Sequence, residues 1–413
     1  MCTQLNSVSF QPSQRSFMPR DTLVIVLTYL ADPKLACVSK NFRDATKKAF
    51  PLILQAMISH RLVIPIIPSS INDKASVKNK LIRISILVKE AAIRASISPR
   101  LDFGSILEKI REVRDRDLVV FFKKICVELK RFGYVISSEP SKNYQIQAGQ
   151  IRIWLKNNQT VLKKIRNLDL SNCKMNVFPE EICMLSNLET LSLSCNRVVY
   201  VPEMIGSLLH LKALDLSCNQ ISELPIAIAN INNLRHLDLS DNRFRYFPRA
   251  VCFLKALKSL DISDNQLTSL PAEIANLMNL GELSVADNHL EFLPIEIGYL
   301  SELEECLDVS RNFLRVLPAS IRFLKKLKRL NVSSNLLRSV PSHLIELRNL
   351  RRLEASKNQF RIIPQEMTQM PPLDDLDISD NPIDHWSQYV GHLRFLYLPQ
   401  TVGRYCNPEY EPF

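Results

Sequence analysis

Between residues 165 and 378 the apolar positions fall into one rhythm, Leu-x-x-Leu-x-Leu-x-x-Asn-x-Leu-x-x-Leu-Pro, met ten times. Its ninth position falls on Cys173, Asn196, Asn219, Asn242, Asn265, Asn288, Asn312, Asn335, Asn358 and Asn381, and successive members stand 23 apart except for one interval of 24 between Asn288 and Asn312. Leu237 and Leu239 alternate with polar residues, as Leu214 and Leu216 do one turn earlier, which predicts a short strand with its leucines pointing inward. A unit this small cannot bury its apolar face alone, so neighbours must stack around a shared interior. An Asn amide carries both donors and an acceptor, so a column of Asn can satisfy the buried backbone of the turn that leaves each strand. Cys173 heads that column without an amide. Proline follows six residues after each of the first nine members, from Pro179 through Pro248 to Pro364, where the chain turns outward and needs no amide donor. Strands side by side at roughly 4.8 Å predict a concave face on the order of 45 Å long.

This spacing resembles the leucine-rich repeat. The resemblance implies an α/β solenoid, a ten-repeat horseshoe over residues 165–385 with parallel strands on its concave face, preceded by an all-α N-terminal region. Residues 1–17 are polar and aperiodic and read as a loose tail. Residues 49–145 carry helical spacing at Val77, Leu81, Ile84 and Val88, at Ile106, Ile110 and Val113, and at Phe121, Phe122, Ile125, Leu129 and Phe132, a helical linker domain. Residues 146–164, with Ile151, Trp154, Leu155 and Leu162, read as a helical lid over the first repeat, Trp154 as a ligand-stacking residue being the alternative. Residues 386–413 are a C-terminal cap and tail.

Residues 18–48 show a different pattern. Met18-Pro19 opens a helix whose Leu23, Leu27 and Leu30 share a face, Asp32-Pro33 breaks it, and Leu35, Val38 and Phe42 mark a second short helix. This segment resembles an F-box, the helical module that docks onto the Skp-type adaptor of cullin-RING ubiquitin ligases. It departs from that family by running about three residues short between Pro33 and Val38, which truncates the second helix. The resemblance implies adaptor contacts at Pro19, Leu23, Leu27, Leu30, Leu35 and Val38. A helical front, a tryptophan-bearing lid and repeats in this order also resemble the F-box and leucine-rich-repeat proteins of environmental chlamydiae and other intracellular bacteria.

Composition narrows the chemistry. Only 8 glycines occur, none in a GxxxxGK or GxGxxG arrangement, which argues against a nucleotide-cradling loop. The 7 histidines form no HExxH and the 10 cysteines no CxxC, so no metal or other cofactor is expected. Without the paired-cysteine caps of extracellular repeats, a reducing compartment fits: cytoplasmic, with secretion into a host cytosol as the variant that the bacterial resemblance suggests. Residues 1–164 hold 28 Lys and Arg against 12 Asp and Glu, whereas residues 165–385 hold 23 against 28, so the formal +11 belongs to the front half. Solvated helix lysines account for that excess, and neither nucleic acid nor membrane is the expected partner. The apolar run from Leu23 to Leu30 is too short to span a bilayer.

Two surfaces stand out as candidates for holding a protein target. Between the paired leucines lie Asp215, Asp238, Asp261 and Asp308, with serines two residues on, a stripe that either forms a groove for a basic partner or simply caps turns. Toward the far end Arg315, Arg338 and Arg361 repeat at one position, and Lys328, Arg329, Arg351 and Arg352 flank strand entrances, an arrangement that invites an acidic partner or splays into solvent. The extra residue around Glu304, Glu305 and Cys306 is expected to be absorbed in a loop. Three functions compete. One is a non-enzymatic substrate adaptor that joins a host Skp-type protein to an unidentified protein target, with no small-molecule substrate. Another is a plain scaffold resembling the intracellular Ras-associated leucine-rich-repeat proteins. The third is a ubiquitin ligase with a catalytic cysteine, against which stands the short stretch after the last repeat, whose sole cysteine is Cys406.

Overall fold

The computed structural model describes residues 103–134, 144–339, 342–361, 373–383 and 396–397. The chain divides into two compact units, residues 1–113 and 114–413, and the repeats belong to the second. Pro19, Leu23, Leu27, Leu30, Leu35 and Val38 lie outside the described residues.

The repeats build one sheet of eleven parallel strands in strict chain order. It opens with β1 (Asn167–Asp169) and β2 (Thr190–Ser192), continues through β3 (Ala213–Asp215), β4 (His236–Asp238), β5 (Ser259–Asp261), β6 (Glu282–Ser284) and β7 (Cys306–Asp308), and then runs through β8 (Arg329–Asn331), β9 (Arg352–Glu354) and β10 (Asp375–Asp377) to β11 (Leu396–Tyr397). Ten of these are the ten repeats; β11 extends the sheet past them and pairs with β10 through Leu376↔Leu396. Each strand places its central leucine opposite that of the next, as in Leu214↔Leu237↔Leu260. That register follows from the side-chain period of two, since a slip by one residue would turn every leucine into solvent. Behind the sheet a single apolar interior runs from Leu118 to Ile378. Each described proline that follows a repeat's turn is extended, with φ −67° at Pro179, and its carbonyl accepts the first bond of a 3-10 turn, Ile182 N–H to Pro179 O at 3.0 Å.

The Asn column does what its chemistry allows. Asn265 Oδ1 accepts from Phe244 N at 3.0 Å, one coil back, while its Nδ2 donates to Leu239 O, Ile262 O and Ser263 O at 3.0, 3.2 and 2.9 Å. Asn196 makes the equivalent bonds in repeat 2, and Cys173 substitutes with one contact, Sγ to Ser171 O at 3.4 Å. The residue before each Asn must turn left-handed, with φ from 49° at Asp241 to 55° at Ser334.

At the front, α1 (Phe103–Lys130) is one continuous helix of 28 residues, joining apolar sets that the sequence presents as separate runs. From Arg114 onward it belongs to the repeat unit, and Leu118, Phe121, Phe122, Ile125 and Leu129 enter the common interior. Next, α2 (Tyr144–Asn157) buries Ala148, Ile151 and Leu155, and the short α3 (Gln159–Leu162) leads into β1. Trp154 is a packing residue, edge-on to Phe122 with ring centroids 5.3 Å apart. Phe132 is 48% exposed and takes no part in the core. Polar groups hold these helices to the first coil: Arg152 bonds Asp115 and Glu181 at 2.8 Å each, and buried Asp117 accepts from Asn176 N and Val177 N at 2.7 and 2.9 Å.

Candidate protein-binding face

The strand side of the solenoid is hollowed into a groove of about 750 Å³, floored by residues of β1 to β6 and bordered at the first repeat by Lys124, Val127 and Glu128 of α1 and by Arg131 just past its end. Three of the sequence-selected carboxylates, Asp215, Asp238 and Asp261, line it side by side on paired strands, and Asp308 continues their row on β7. Each carboxylate is divided between two tasks. One oxygen caps the turn two residues on, as Asp238 Oδ1 accepts from Ser240 N and Oγ at 2.9 and 2.6 Å. The other is turned to neighbours or to the groove. Asp215 Oδ2 accepts from Ser192 Oγ at 2.9 Å and Asp308 Oδ2 from Asn331 Nδ2 at 3.2 Å, whereas the second oxygens of Asp238 and Asp261 have no hydrogen-bond partner among the described residues. Turn capping and a charged groove are therefore one feature. Desolvation, together with the like charges of Asp261 and Asp215, pushes the Asp238 carboxyl above its ordinary range.

A second acidic row runs beside the first and escapes a reading confined to the strands. Asp241, Asp264 and Asp287 fill the left-handed position of repeats 4 to 6, with φ of 49°, 52° and 50°. Asp and Asn tolerate that conformation because their short polar side chains bond locally, so the residue before the Asn was the signal. Asp264 is raised by desolvation and by Asp287, Asp241 and Asp261, which ties the two rows into one field. Arg311 ends the second row by pairing with Asp287 at 2.9 Å. On the opposite margin stand Lys212, Arg235 and Lys258, of which Lys212 bonds Glu189 at 2.5 Å.

The basic candidates divide. Arg329 and Arg352 begin β8 and β9 and are engaged, Arg329 Nε with Glu305 O at 3.3 Å and Arg352 Nε with Asp375 at 3.1 Å. Lys328 beside them bonds Glu304 and Glu305 at 2.8 and 3.2 Å. Arg315, Arg338 and Arg361 are exposed but leave the strands altogether, lying three residues past Asn312, Asn335 and Asn358, so they share no groove with the aspartates. The extra residue is absorbed at the entrance to β7, where Glu304 N and Glu305 N both bond Gly281 O at 3.1 and 2.9 Å and the leucine register survives.

Burial drives the thiols of Cys183 and Cys252 up to about 12, away from the thiolate that acyl or ubiquitin transfer needs. No helix among the described residues is long and apolar enough to cross a membrane.

Leucine-rich-repeat families are recognised in the chain: residues 199–292 match the Leucine-rich repeat region model and residues 301–360 the Leucine rich repeat model. Among solved structures, a leucine-rich-repeat protein of Leptospira interrogans is similar at 34% identity and a TM-score of 0.55, covering 57% of this chain and 62% of that one. A plant peptide hormone receptor, solved in complex with RGF2, is 32% identical with a TM-score of 0.45, covering 50% of this chain and 34% of its own. No curated protein matches the chain. Fold, register and family models define the class as a leucine-rich-repeat solenoid.

Proposed function

We propose that this scaffold holds a basic segment of a partner protein against the concave face of repeats 3 to 6. The observation that carries the reading is the double row of Asp215, Asp238 and Asp261 beside Asp241, Asp264 and Asp287, in which desolvation first and the like-charged neighbours second hold Asp238 and Asp264 above their ordinary range. Like charges stacked at strand spacing cost stability in the free protein, and a cationic partner removes that cost. Replacing Asp215, Asp238 and Asp261 together with Asn should weaken binding of an arginine- and lysine-rich peptide roughly tenfold, at about 0.2–1 kcal/mol for each exposed pair, and flatten its salt dependence. Equal binding by the triple variant would move the site elsewhere.

The finer reading is that the chain is a substrate adaptor, with residues 18–48 docking a host Skp-type protein while the groove holds the target. Its support is the F-box resemblance of Pro19, Leu23, Leu27, Leu30, Leu35 and Val38. Ubiquitin transfer would then be accelerated by proximity alone. Purified protein is expected to co-elute with a eukaryotic Skp-type adaptor, and Leu27→Arg to abolish this by forcing a charge into a desolvated contact. Failure of the wild type to co-elute leaves the plain scaffold.

A further inference from the structure

Repeats 2 and 3 place cysteines where five other repeats place Asn or Asp, residues suited to the turn, and three place Arg311, Ser334 and Lys357. Cys195 and Cys218 precede Asn196 and Asn219, both left-handed, with φ of 54° and 52°. Asn172, Asp241, Asp264 and Asp287 fill the same position in neighbouring repeats, and their side chains favour this backbone whereas a cysteine gains nothing from it. The repeat thus supplies its own control: backbone geometry does not select cysteine here. The two thiols are also neighbours. Both residues are pinned by bonds to the next coil, Cys195 N to Ser217 O at 3.0 Å and Cys218 N to Ser240 O at 2.9 Å. Equivalent residues on adjoining coils sit about 4.8 Å apart, inside the roughly 4.4–6.8 Å between Cα atoms that a disulfide spans. The Cys218 thiol interacts with that of Cys195 on one side and with the Asp241 carboxylate on the other. Both are free thiols, Cys195 exposed and Cys218 partly so, whereas Cys183 and Cys252 are buried.

We propose that Cys195 and Cys218 form a modification site, a dithiol at the rim of repeats 2 and 3 that closes to an intrachain disulfide on meeting a small-molecule disulfide. The exposed Cys195 reacts first. Its thiolate attacks one sulfur of the small disulfide, the S–S bond breaks, and the departing thiolate takes up the proton that Cys195 released. Cys218 then gives its proton to solvent and attacks the Cys195 sulfur, expelling the second small thiolate, which is protonated in turn. Two protein thiols are oxidised and one small disulfide is reduced to two thiols. Burial and the neighbouring Asp241 carboxylate hold the Cys218 thiol up at about 12, so the second step is the slower. Side chains in register point the same way, so closure must draw the Cβ atoms in to roughly 3.8 Å, and the resulting strain makes the bond easy to reduce.

The experiment exposes the full chain to increasing glutathione disulfide, blocks remaining thiols with N-ethylmaleimide, and maps tryptic peptides by mass. Cleavage after Lys174, Arg197 and Lys212 separates Cys218 from the peptide that bears both Cys183 and Cys195, and fragmentation of the linked product assigns the bridge to Cys195. The expected product joins the peptides bearing Cys195 and Cys218 with the loss of two hydrogens, and dithiothreitol restores both thiols. In Cys218→Ser the reaction should stop at a stable glutathione adduct on Cys195, and that variant keeps its fold by circular dichroism. Separate adducts or maleimide on both cysteines of the wild type, or a link found only between isotopically distinct copies, would overturn the proposal.

Discussion

The carboxylate of Asp238 is set by two demands that Asn331 allows to be separated. Asn331 fills the same place on β8, and its Oδ1 accepts from Ser333 N at 3.0 Å just as Asp238 Oδ1 accepts from Ser240 N. Asp238→Asn should therefore keep the turn and lose only the charge. Because the folded protein raises this carboxyl above its unfolded value, its stabilising contribution is present below the ordinary carboxylate range and lost as pH rises through the raised one. The variant should match wild type near pH 4 and exceed it by roughly 0.2–1 kcal/mol near pH 7, read by urea denaturation at both. A variant less stable at neutral pH would mean that the ionised Asp238 helps the fold. Lys357 offers a second residue-scale test, since it holds φ at 54° with no glycine-like freedom. Lys357→Gly is expected to stabilise the fold by about 0.5–1 kcal/mol after the entropy that glycine costs, read as a higher urea midpoint.

Within a coil, satisfaction of the backbone and closeness of stacking decide what each position tolerates. Asn265 meets one buried N–H and three carbonyls, so Asn265→Ala leaves several buried groups bare and should cost at least about 3 kcal/mol, checked by urea denaturation. Gly298 stands where a Cβ would strike Ser320 O and come within 2.7 Å of the Ser320 side chain. Gly298→Ala must push two coils apart there, at about 1–3 kcal/mol, and a variant that melts with wild type would show that the coils can shift freely. The first requirement was legible in the sequence, because the Asn recurs and its hydrogen-bonding capacity is fixed by its type. The second was not, because Gly298 interrupts no pattern and its neighbour Ser320 comes from the following repeat. For the same reason the aspartate row on the strands could be read from periodicity, while Asp241, Asp264 and Asp287 required knowing that the residue before each Asn turns left-handed.

Across the molecule the repeats form a nearly one-dimensional stack, in which each coil is stabilised by the two it touches and the first must be covered by something else. Leucine periodicity announced the stack and its parallel sheet, but not how the cover is fastened. Arg152, Asp115 and Asp117 come from α1 and α2, outside the repeats, and only Glu181 stands at a repeated position, the one that Glu273 and Glu296 fill in later coils. Asp115, Asp117 and Glu181 are buried, so the fastening is sensitive to the loss of any partner. Arg152→Leu would take from Asp115 and Glu181 the cation each bonds at 2.8 Å and leave Arg114, 3.7 Å from Asp115, as a remaining counter-charge, so the cost should fall below the about 3–5 kcal/mol of a buried pair left with no partner. In a nearest-neighbour stack that loss is local. Hydrogen exchange should therefore quicken at amides of α2 and of repeats 1 and 2, such as Leu170 and Leu193, whose bonds reach Ser192 and Asp215 on the next strands, while amides from Val309 onward keep wild-type protection. Uniform acceleration from Leu170 to Ala355 would show instead that the solenoid opens as one cooperative body, and the cap would then govern the groove as well as the end it covers.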